Sequence, residues 1–385
     1  MESVLENAEK NSLILDGHKL WLPEHRERLK VWLSGERIVP ITIDMALTRS
    51  CNYKCVYCYA TLQDNDIKKM TLDVIYRFLD DAAEMGVKAI SFVSDGESTC
   101  SPHLYDAILR GHNNGLSMAL GTAGYLLKDE RLEEILSALT YLRFNMSAAV
   151  PGRYSEIHGV PKEWFYKVVN TVAKAVKIKR AGKLPVTLGL QMVLLPQFKD
   201  QIFPMANFGK VLGVDYTVIK HCSDDEKGSL GVDYSGYHDP ELMALLDEAE
   251  ALSDEDYTVK AKRSKIFSDG KRCYSRCYGP PFFLQFSGSG LVAPCGMLFG
   301  EEYKKYHIGN IAEKSFKEIW ASDRYWEALN LLASDKFDAQ KMCGCLCIQH
   351  KINEFLWSLK GGDSEEILRE SDGRDDSGLI HRNFL

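Results

Sequence analysis

The hydrophobic positions along the chain follow two alternating periods. Short apolar runs predict β-strands, and longer segments with an apolar residue every three to four positions predict amphipathic helices. Strands are predicted at 41–47, 88–93, 117–121, 141–147, 186–194 and 214–220. Helices are predicted near 23–34, from Thr71 to Gly86, and at 102–114, 130–138, 161–180 and 204–212. Strands that alternate with helices indicate right-handed βαβ units and a parallel sheet.

Residues 223–270 interrupt this alternation. They combine a polar loop with one helix that begins at Asp239-Pro240, and we expect them to bridge two domains. Farther along, an apolar alternating run with a Gly-rich turn predicts a β-hairpin within 282–295, and a helix is predicted at 315–333. The pattern alone is compatible with either an open doubly wound sheet or a partial barrel.

Composition narrows the class of protein. The chain has 385 residues, with 47 basic and 54 acidic side chains, so its formal charge is 47 − 54 = −7. This balance disfavours a nucleic-acid-binding surface. The first ten residues contain no apolar signal-peptide region, and no apolar run reaches the ~18 residues of a membrane span. We therefore expect a cytoplasmic protein, in which clustered cysteines bind metal rather than form disulfides.

A tight group of cysteines follows the first predicted strand. Cys51, Cys55 and Cys58 have the spacing C-x3-C-x2-C. Thiolates on one short loop suit an iron–sulfur cluster, and three of them leave one iron without a side chain. Zinc is the alternative, although zinc loops usually combine two separate pairs of ligands.

This triplet, with Tyr57 before its last cysteine, resembles the motif of the radical S-adenosylmethionine enzymes. The resemblance implies an α/β fold with a partial (β/α)6 TIM-like barrel at 41–222. It implies a [4Fe–4S] cluster held by the three cysteines and by S-adenosylmethionine. Reductive cleavage of that cofactor would give a 5′-deoxyadenosyl radical that takes hydrogen from a substrate, with a flavodoxin or ferredoxin as the reductant.

The C-terminal ends of the predicted strands supply further candidates, because chemistry collects there in parallel barrels. The stretch from Asp95 to Ser98 resembles the family's Gly-Gly-Glu-Pro sequence, and it departs from that sequence at both of these positions. In the family this stretch approaches the amino group of the cofactor. The cofactor contacts that the resemblance implies are Tyr57, Asp95, Gly96, Glu97, Ser98, Thr122, Ser147 and Gln191. The alternative is a turn glycine beside a solvated glutamate.

Three residues at strand ends are candidates for catalysis. Cys100 and Cys222 would each place a thiol at the mouth of the barrel, where it could return a hydrogen atom to a substrate radical. The alternative is a small buried residue, since free cysteine is often buried. Lys220 would contact a charged group of the substrate. The stretch 153–159 either lines the same cavity or forms a turn between helices.

A second group of cysteines lies in the last third of the chain. Cys277, Gly290 and Cys295 fit the hairpin that opens SPASM and Twitch extensions in this family. The closing segment Cys343-Gly-Cys345-Leu-Cys347 departs from the C-x2-C-x5-C-x3-C of a full SPASM domain. The resemblance therefore implies one auxiliary [4Fe–4S] cluster.

The ligands expected for this cluster are Cys277, Cys295, Cys347 and either Cys343 or Cys345. Cys273 is a spare thiol or an alternate ligand, and a zinc knuckle is the alternative to a cluster.

The expected domains are an N-terminal arm at 1–40, the barrel at 41–222, the bridge at 223–270, the auxiliary domain at 271–350, and a C-terminal helix with an acidic tail at 351–385. The acidic, Gly-rich part of the tail, 361–378, is typical of a mobile segment.

The resemblance favours an oxidoreductase that dehydrogenates a small, sugar- or cyclitol-like substrate, with the auxiliary cluster as electron acceptor. The alternatives are an epimerase that uses Cys100 or Cys222, a peptide-modifying enzyme and, outside enzymes, an iron–sulfur electron-transfer module. No nucleic-acid or membrane partner is expected.

Overall fold

The computed structural model of the protein describes residues 13–65, 69–268, 271–344, 347–362, 364–372, 376 and 378–385. Within these ranges, ten strands form one sheet. They are β1 (Thr42–Met45), β2 (Ala89–Phe92), β3 (Ser117–Thr122), β4 (Leu139–Asn145), β5 (Thr187–Leu194), β6 (Tyr216–His221), β7 (Thr258–Ala261), β8 (Phe283–Phe286), β9 (Leu291–Ala293) and β10 (Gly309–Asn310).

The sheet has the order β10-β9-β8-β1-β2-β3-β4-β5-β6-β7. Neighbours from β8 through β1 to β7 are parallel, whereas β9 and β10 pair in antiparallel fashion. Because β7 and β10 are edge strands, the parallel part is a barrel that does not close. The α/β fold and the partial barrel predicted from the sequence are confirmed.

Helices cover the outside of the parallel strands and build the C-terminal region. They are α1 (Pro23–Leu33), α2 (Leu72–Met85), α3 (Leu104–Asn113), α4 (Leu132–Ala138), α5 (Pro151–His158), α6 (Glu163–Gly182), α7 (Ile202–Leu212), α8 (Pro240–Glu250), α9 (Arg263–Ile266), α10 (Phe316–Ala321), α11 (Asp323–Leu332), α12 (Ala339–Met342), α13 (His350–Gly361) and α14 (Ser364–Asp372). None of the described helices is long and apolar enough to cross a membrane.

The ends of α2 illustrate how local signals set these boundaries. The Thr71 side chain accepts a hydrogen bond from the Val74 backbone N–H, and this N-cap begins the helix where the sequence predicts it. Gly86 ends the helix with φ +93°, a left-handed conformation that glycine adopts without steric conflict. The helix predicted at 315–333 is instead two helices, because Ser322 is extended and its side chain caps the start of α11.

The segment predicted as a bridge contributes a strand that the sequence analysis did not anticipate. β7 pairs in parallel with β6, in a register that joins Thr217 to Val259. With α8 before it, this strand adds another βα unit to the sheet. Its four residues, Thr258-Val-Lys-Ala, are too few and too mixed in polarity to indicate a strand by periodicity alone.

The predicted hairpin is present, but it does not stand apart from the barrel. β8 and β9 are antiparallel, and Gly290 turns between them with φ +82°. β8 also pairs in parallel with β1, in a register that joins Ile43 to Leu284. The C-terminal cysteines are thereby attached to the same sheet as the first cysteine loop.

The C-terminal residues return to the opposite end of the barrel, where the strands begin. Phe384 is buried against Ala89, Ala119 and Tyr141, and the Lys19 ammonium donates to the Phe384 carbonyl oxygen at 2.5 Å. This contact covers the N-terminal end of the barrel. Part of the tail predicted as mobile, Ser364–Asp372, forms α14, whereas 363, 373–375 and 377 lie outside the described residues.

Candidate active site

The loop that carries Cys51, Cys55 and Cys58 begins between two glycines. A Cβ atom at Gly96 would lie 2.1 Å from the Thr48 carbonyl oxygen, and one at Gly288 would lie 2.1 Å from the Thr48 carbonyl carbon. Gly96 also has φ +154°. The peptide after Thr48 is therefore packed directly between the backbone after β2 and the turn of the β8–β9 hairpin, and neither position has room for a side chain.

The end of α5 holds the middle of the same loop. The backbone N–H of Lys54 donates to the His158 carbonyl oxygen at 3.1 Å, and that of Val56 donates to the Ile157 carbonyl oxygen at 2.9 Å. Gly159, with φ +62°, ends α5 against the Lys54 carbonyl group. The stretch 153–159, for which the sequence left two interpretations open, is thus a helix and cap that position the cysteine loop.

His158 contacts a cysteine of the loop directly. Burial lowers the pKa of His158 to about 3, so the imidazole is neutral. The Ser147 backbone N–H donates to its Nε2 atom at 3.1 Å, which assigns the ring proton to Nδ1. Nδ1 lies 3.3 Å from the Cys55 sulfur and 3.4 Å from the Tyr57 hydroxyl oxygen.

The three thiols are free in the structure, and their surroundings match a metal cluster. Burial, with a smaller contribution from the neighbouring thiol of Cys58, raises the pKa of Cys51 to about 11 and that of Cys55 to about 12. Three thiolates side by side in such a place need positive charge beside them. Iron in a cluster supplies it, because thiolate is the usual cluster ligand.

The Glu97 carboxylate ties the end of β2 to the end of β3. Its Oε1 atom accepts from the Thr122 hydroxyl at 2.7 Å and from the Thr99 backbone N–H at 3.0 Å. Its Oε2 atom accepts from the Ala123 backbone N–H at 2.7 Å. Both Glu97 and Thr122 are buried, so the two predicted cofactor contacts form one fixed unit beside the cysteine loop.

The Asp95 carboxylate has a different set of partners. It accepts from the Ser287 hydroxyl at 2.5 Å and from the Gly288 backbone N–H at 2.8 Å, and Arg49 Nε lies 3.3 Å away. This side chain, which departs from the family's glycine, joins the cysteine loop to the hairpin. Its contact with the cofactor stays a prediction, as does that of Ser98, which is buried in the turn after Glu97.

The other two predicted contacts lie on β5 and just after β4. The Ser147 hydroxyl oxygen accepts from the Val193 backbone N–H at 3.1 Å and lies 3.4 Å from the Tyr57 hydroxyl oxygen. Gln191 donates from Nε2 to the Asn145 side-chain oxygen at 2.9 Å. The predicted set is thus brought to one end of the barrel around the cysteine loop.

A cavity of about 330 Å³ occupies the interior of the barrel. It extends from Phe384 at the closed end to Met297, which follows the hairpin. Polar side chains line its wall, and they include Asp44, Arg143, Gln191, Lys220, Lys262 and Gln285. Burial, followed by the charges of Arg143 and Lys265, lowers the pKa of Lys220 to about 7. The volume of the cavity is suited to a small molecule.

Of the three predicted catalytic residues, Lys220 lines this cavity and the two cysteines do not. The Cys222 sulfur is buried, and its thiol lies 3.4 Å from the Ser223 carbonyl oxygen and 3.8 Å from that of Tyr57. The Cys100 thiol faces the Asn52 side-chain oxygen at 3.7 Å. Both thiols therefore point into the protein around the cysteine loop.

A second pocket brings together four of the C-terminal cysteines, Cys277, Cys295, Cys343 and Cys347. The rest of its lining is largely apolar and includes Leu298, Leu332, Phe337 and Met342. Burial and the neighbouring thiols raise the pKa values of Cys277 and Cys295 and raise that of Cys343 to about 12. This donor set fits an iron–sulfur cluster by the same reasoning as the first loop.

Of the two remaining candidates of this group, one belongs to the described residues and can be compared with this pocket. Cys273 is exposed and does not line it, and Cys345 lies outside the described residues. Among the described residues, no three His, Cys, Asp or Glu side chains are grouped as they would be around a single metal ion.

Comparison with known families covers both groups of cysteines. The profile of the Radical SAM superfamily matches residues 45–208, and that of the SPASM iron-sulfur cluster-binding domain matches residues 277–347.

The chain is a member of the radical SAM superfamily.

Individual relatives of this radical SAM protein have low sequence identity to it, but the similarity extends over most of each chain. The tungsten-containing aldehyde ferredoxin oxidoreductase cofactor-modifying protein of Pyrococcus furiosus is 25% identical over 305 residues, which are 73% of this chain and 81% of that protein. The AdoMet-dependent heme synthase of Methanosarcina barkeri is 24% identical over 343 residues, 81% of this chain and 90% of that protein. The crystal structure of SuiB from Streptococcus suis shares the fold, with a TM-score of 0.62 and 15% identity over 84% of this chain and 77% of that chain.

Membership makes the chain an enzyme, and its two domains imply its cofactors. A radical SAM domain implies a [4Fe–4S] cluster with S-adenosylmethionine, and a SPASM domain implies auxiliary iron–sulfur binding. The two cysteine groups described above are the residues that fit these clusters. Tyr59 and Met297 line both the barrel cavity and the auxiliary pocket, so the two sites of this radical SAM protein share a wall.

Sequence reasoning missed two residues that contact the cysteines. The sequence marks His158 only as part of the stretch 153–159, and it gives no signal for Asn353. The Asn353 amide donates to the Cys277 sulfur at 3.5 Å and to the Cys347 sulfur at 3.9 Å. Both residues lie on helices that fold back onto a cysteine group, and no local spacing in the sequence signals such a return.

Proposed function

We propose that this radical SAM enzyme dehydrogenates a small polar molecule in the barrel cavity and that the auxiliary cysteine pocket accepts one electron from it. A carbon that bears both hydrogen and a hydroxyl group, as in a sugar or cyclitol, is the expected point of reaction. One observation carries the proposal: the cavity and the pocket share the wall formed by Tyr59 and Met297.

Cys51, Cys55 and Cys58 would hold the first cluster, and Glu97 with Ser147 would lie near its S-adenosylmethionine. When bound, these groups supply a 5′-deoxyadenosyl radical that removes a hydrogen atom from the substrate. The protein fixes the cysteine loop between Gly96 and Gly288 and against α5. Phe384 covers the far end of the barrel and limits the access of water there.

The overall reaction balances. S-adenosylmethionine and an alcohol give methionine, 5′-deoxyadenosine, a carbonyl compound and one proton. The electron that starts the reaction is recovered when the substrate radical gives up an electron and the hydroxyl proton. Lys220 is positioned on the cavity wall to accept that proton, because its lowered pKa, about 7, makes it partly neutral at neutral pH.

Two further points support dehydrogenation of a small molecule. One of the two relatives described above is named as a cofactor-modifying protein and the other as a heme synthase. Both names refer to small molecules, which supports a small-molecule substrate. An epimerase would need a thiol that reaches the substrate, and neither Cys100 nor Cys222 lines the cavity. A structure of SuiB contains the precursor peptide SuiA, but at 15% identity the likeness of this chain to SuiB concerns the fold alone and does not support a peptide substrate. The electron-transfer module is not retained, since the chain belongs to an enzyme family.

The auxiliary site is proposed to hold one [4Fe–4S] cluster on Cys277, Cys295, Cys343 and Cys347. The reductant of the enzyme is proposed to be a flavodoxin or a ferredoxin, and its location the cytoplasm.

The test uses the small-molecule fraction of a cell extract. The anaerobic enzyme, S-adenosylmethionine and dithionite are incubated with this fraction in heavy water, and products are found by mass spectrometry. The proposal predicts a compound that has lost two hydrogen atoms and carries no carbon-bound deuterium. A product of unchanged composition that has gained one deuterium on carbon would show epimerisation and overturn the proposal. The Cys51→Ala/Cys55→Ala/Cys58→Ala variant is the control for background conversion.

A further inference from the structure

Three basic side chains of the barrel cavity wall form a group in which Lys262 interacts electrostatically with the other two, and we name them the cation group: Arg143, Lys262 and Lys265. Arg143 belongs to β4 and points inward. Lys262 follows β7, and Lys265 lies in α9, which contacts β6. The register of β6 with β7 joins Ile219 to Ala261, so Lys262 follows directly beside Lys220.

The cation group has no ion-pair partner within the described part of the chain. No carboxylate oxygen in the described part of the chain lies within 4.0 Å of a side-chain nitrogen of Arg143, Lys262 or Lys265. The Arg143 Nε atom also has no hydrogen-bond partner there. Lys351 also lines the cavity, but it forms an ion pair with Glu354 at 2.8 Å. Burial lowers the pKa of Lys262 well below its ordinary value and also lowers that of Lys265, so an anion beside them would favour their charged forms. A purely structural role does not explain three basic side chains grouped at one cavity without an ion-pair partner.

The carboxylates on the cavity wall compensate for only part of this charge, since Asp16 interacts electrostatically with Lys262 and Lys265. Asp16 accepts hydrogen bonds from the Ser264 hydroxyl at 2.6 Å and from its backbone N–H at 3.0 Å. Asp95 is bound by the hairpin turn. Burial raises the pKa of Asp44 to about 7, so this side chain is largely neutral below that pH. The cavity wall therefore carries more basic than acidic side chains, which favours an anionic ligand.

We propose that the cation group binds an anionic part of the substrate, a phosphate or a carboxylate. This inference rests on the proposed function, because it describes the molecule that occupies the same cavity. S-adenosylmethionine does not account for the three cations, since it carries one carboxylate together with a sulfonium and an ammonium group. An arginine beside two lysines is a usual combination for binding phosphate and carboxylate oxygens.

The test measures anion binding to the full chain with its clusters intact and with S-adenosylmethionine present. Inorganic phosphate or succinate replaces chloride at constant ionic strength, and the unfolding temperature is followed as a function of anion concentration. Wild-type protein is expected to gain stability with one of these anions or with both. Stabilisation by phosphate alone assigns a phosphate-bearing substrate, and stabilisation by succinate alone assigns a carboxylate.

The Lys262→Gln/Lys265→Gln variant is expected to raise the dissociation constant of the effective anion at least tenfold. The matched control is Lys162→Gln/Lys177→Gln, which makes the same change in net charge at two exposed positions beside and within α6 and is expected to bind as the wild type does. Lys262→Gln alone serves the same comparison if the double variant does not fold.

Two results would overturn the inference: stabilisation of the wild type by neither anion, or equal affinity in the wild type and the Lys262→Gln/Lys265→Gln variant. Formation of 5′-deoxyadenosine is measured on the same samples. Normal formation without anion binding overturns this inference alone, whereas anion binding without 5′-deoxyadenosine overturns the proposed function.

Discussion

The Nδ1 atom of His158 lies 3.3 Å from the Sγ atom of Cys55, and the Ser147 backbone N–H donates a hydrogen bond to the other ring nitrogen, Nε2. Because burial keeps the imidazole neutral, its single N–H is directed toward the sulfur and the Tyr57 hydroxyl oxygen. A hydrogen bond to a cluster sulfur stabilises the additional negative charge of the reduced state. His158 is therefore expected to adjust the potential of the first cluster.

His158→Phe is expected to lower the reduction potential of that cluster. The loss of one hydrogen bond of about 1 kcal/mol corresponds to about 40 mV for one electron. The measurement is an anaerobic redox titration followed by electron paramagnetic resonance. His112→Phe, at an exposed position on α3, is the control and is expected to leave the potential unchanged. An unchanged potential in a His158→Phe protein with full iron content would contradict this role.

Gly288→Ala is expected to destabilise the protein by about 1–3 kcal/mol, because the new methyl group would overlap the backbone after Thr48. Urea unfolding of samples with equal iron content measures the change. The matched control is Gly152→Ala in α5, where a Cβ has no neighbour within 4 Å and alanine favours the helix. If both variants unfold at the same urea concentration, the loop is not held as described.

Lys220→Met is expected to stabilise the protein by about 1–3 kcal/mol at low pH, because a buried ammonium group is removed. The pKa of Lys220 is about 7 in the folded protein, below its ordinary value of 10.5. The unfolded chain binds this proton more tightly, so the penalty is complete below about pH 7 and fades as the pH rises toward 10.5.

Unfolding temperatures from pH 6 to pH 9 test this dependence on Lys220. Lys177→Met, at an exposed position of α6, should show no such dependence. A constant difference between Lys220→Met and the wild type across this range would contradict the lowered pKa.

Single serine variants of Cys277, Cys295, Cys343 and Cys347 are expected to lose the auxiliary cluster. The iron content should fall from about eight to about four per chain, since each [4Fe–4S] cluster holds four iron atoms. Cys273→Ser should retain about eight, because that side chain is exposed and away from the pocket. Wild-type protein with about four iron atoms would remove the auxiliary cluster from the account.

The sequence was most informative for features whose residues lie close together along the chain. The spacing of Cys51, Cys55 and Cys58, the first parallel strands and the hairpin around Gly290 depend on local periodicity, and the structure has all of them. The pairing of β8 with β1 and of β7 with β6 depends on contacts between distant segments. For the same reason, no pattern indicated that Gly288 packs against the cysteine loop or that His158 contacts it.

The formation of 5′-deoxyadenosine tests the central claim most directly. The reconstituted protein is incubated anaerobically with S-adenosylmethionine and dithionite, and the nucleoside is quantified by chromatography. The wild type and Cys273→Ser are expected to produce 5′-deoxyadenosine, and the Cys51→Ala/Cys55→Ala/Cys58→Ala variant is expected to give only the background level. Equal amounts from the wild type and the triple variant would contradict the assignment of these three cysteines to a radical-generating cluster.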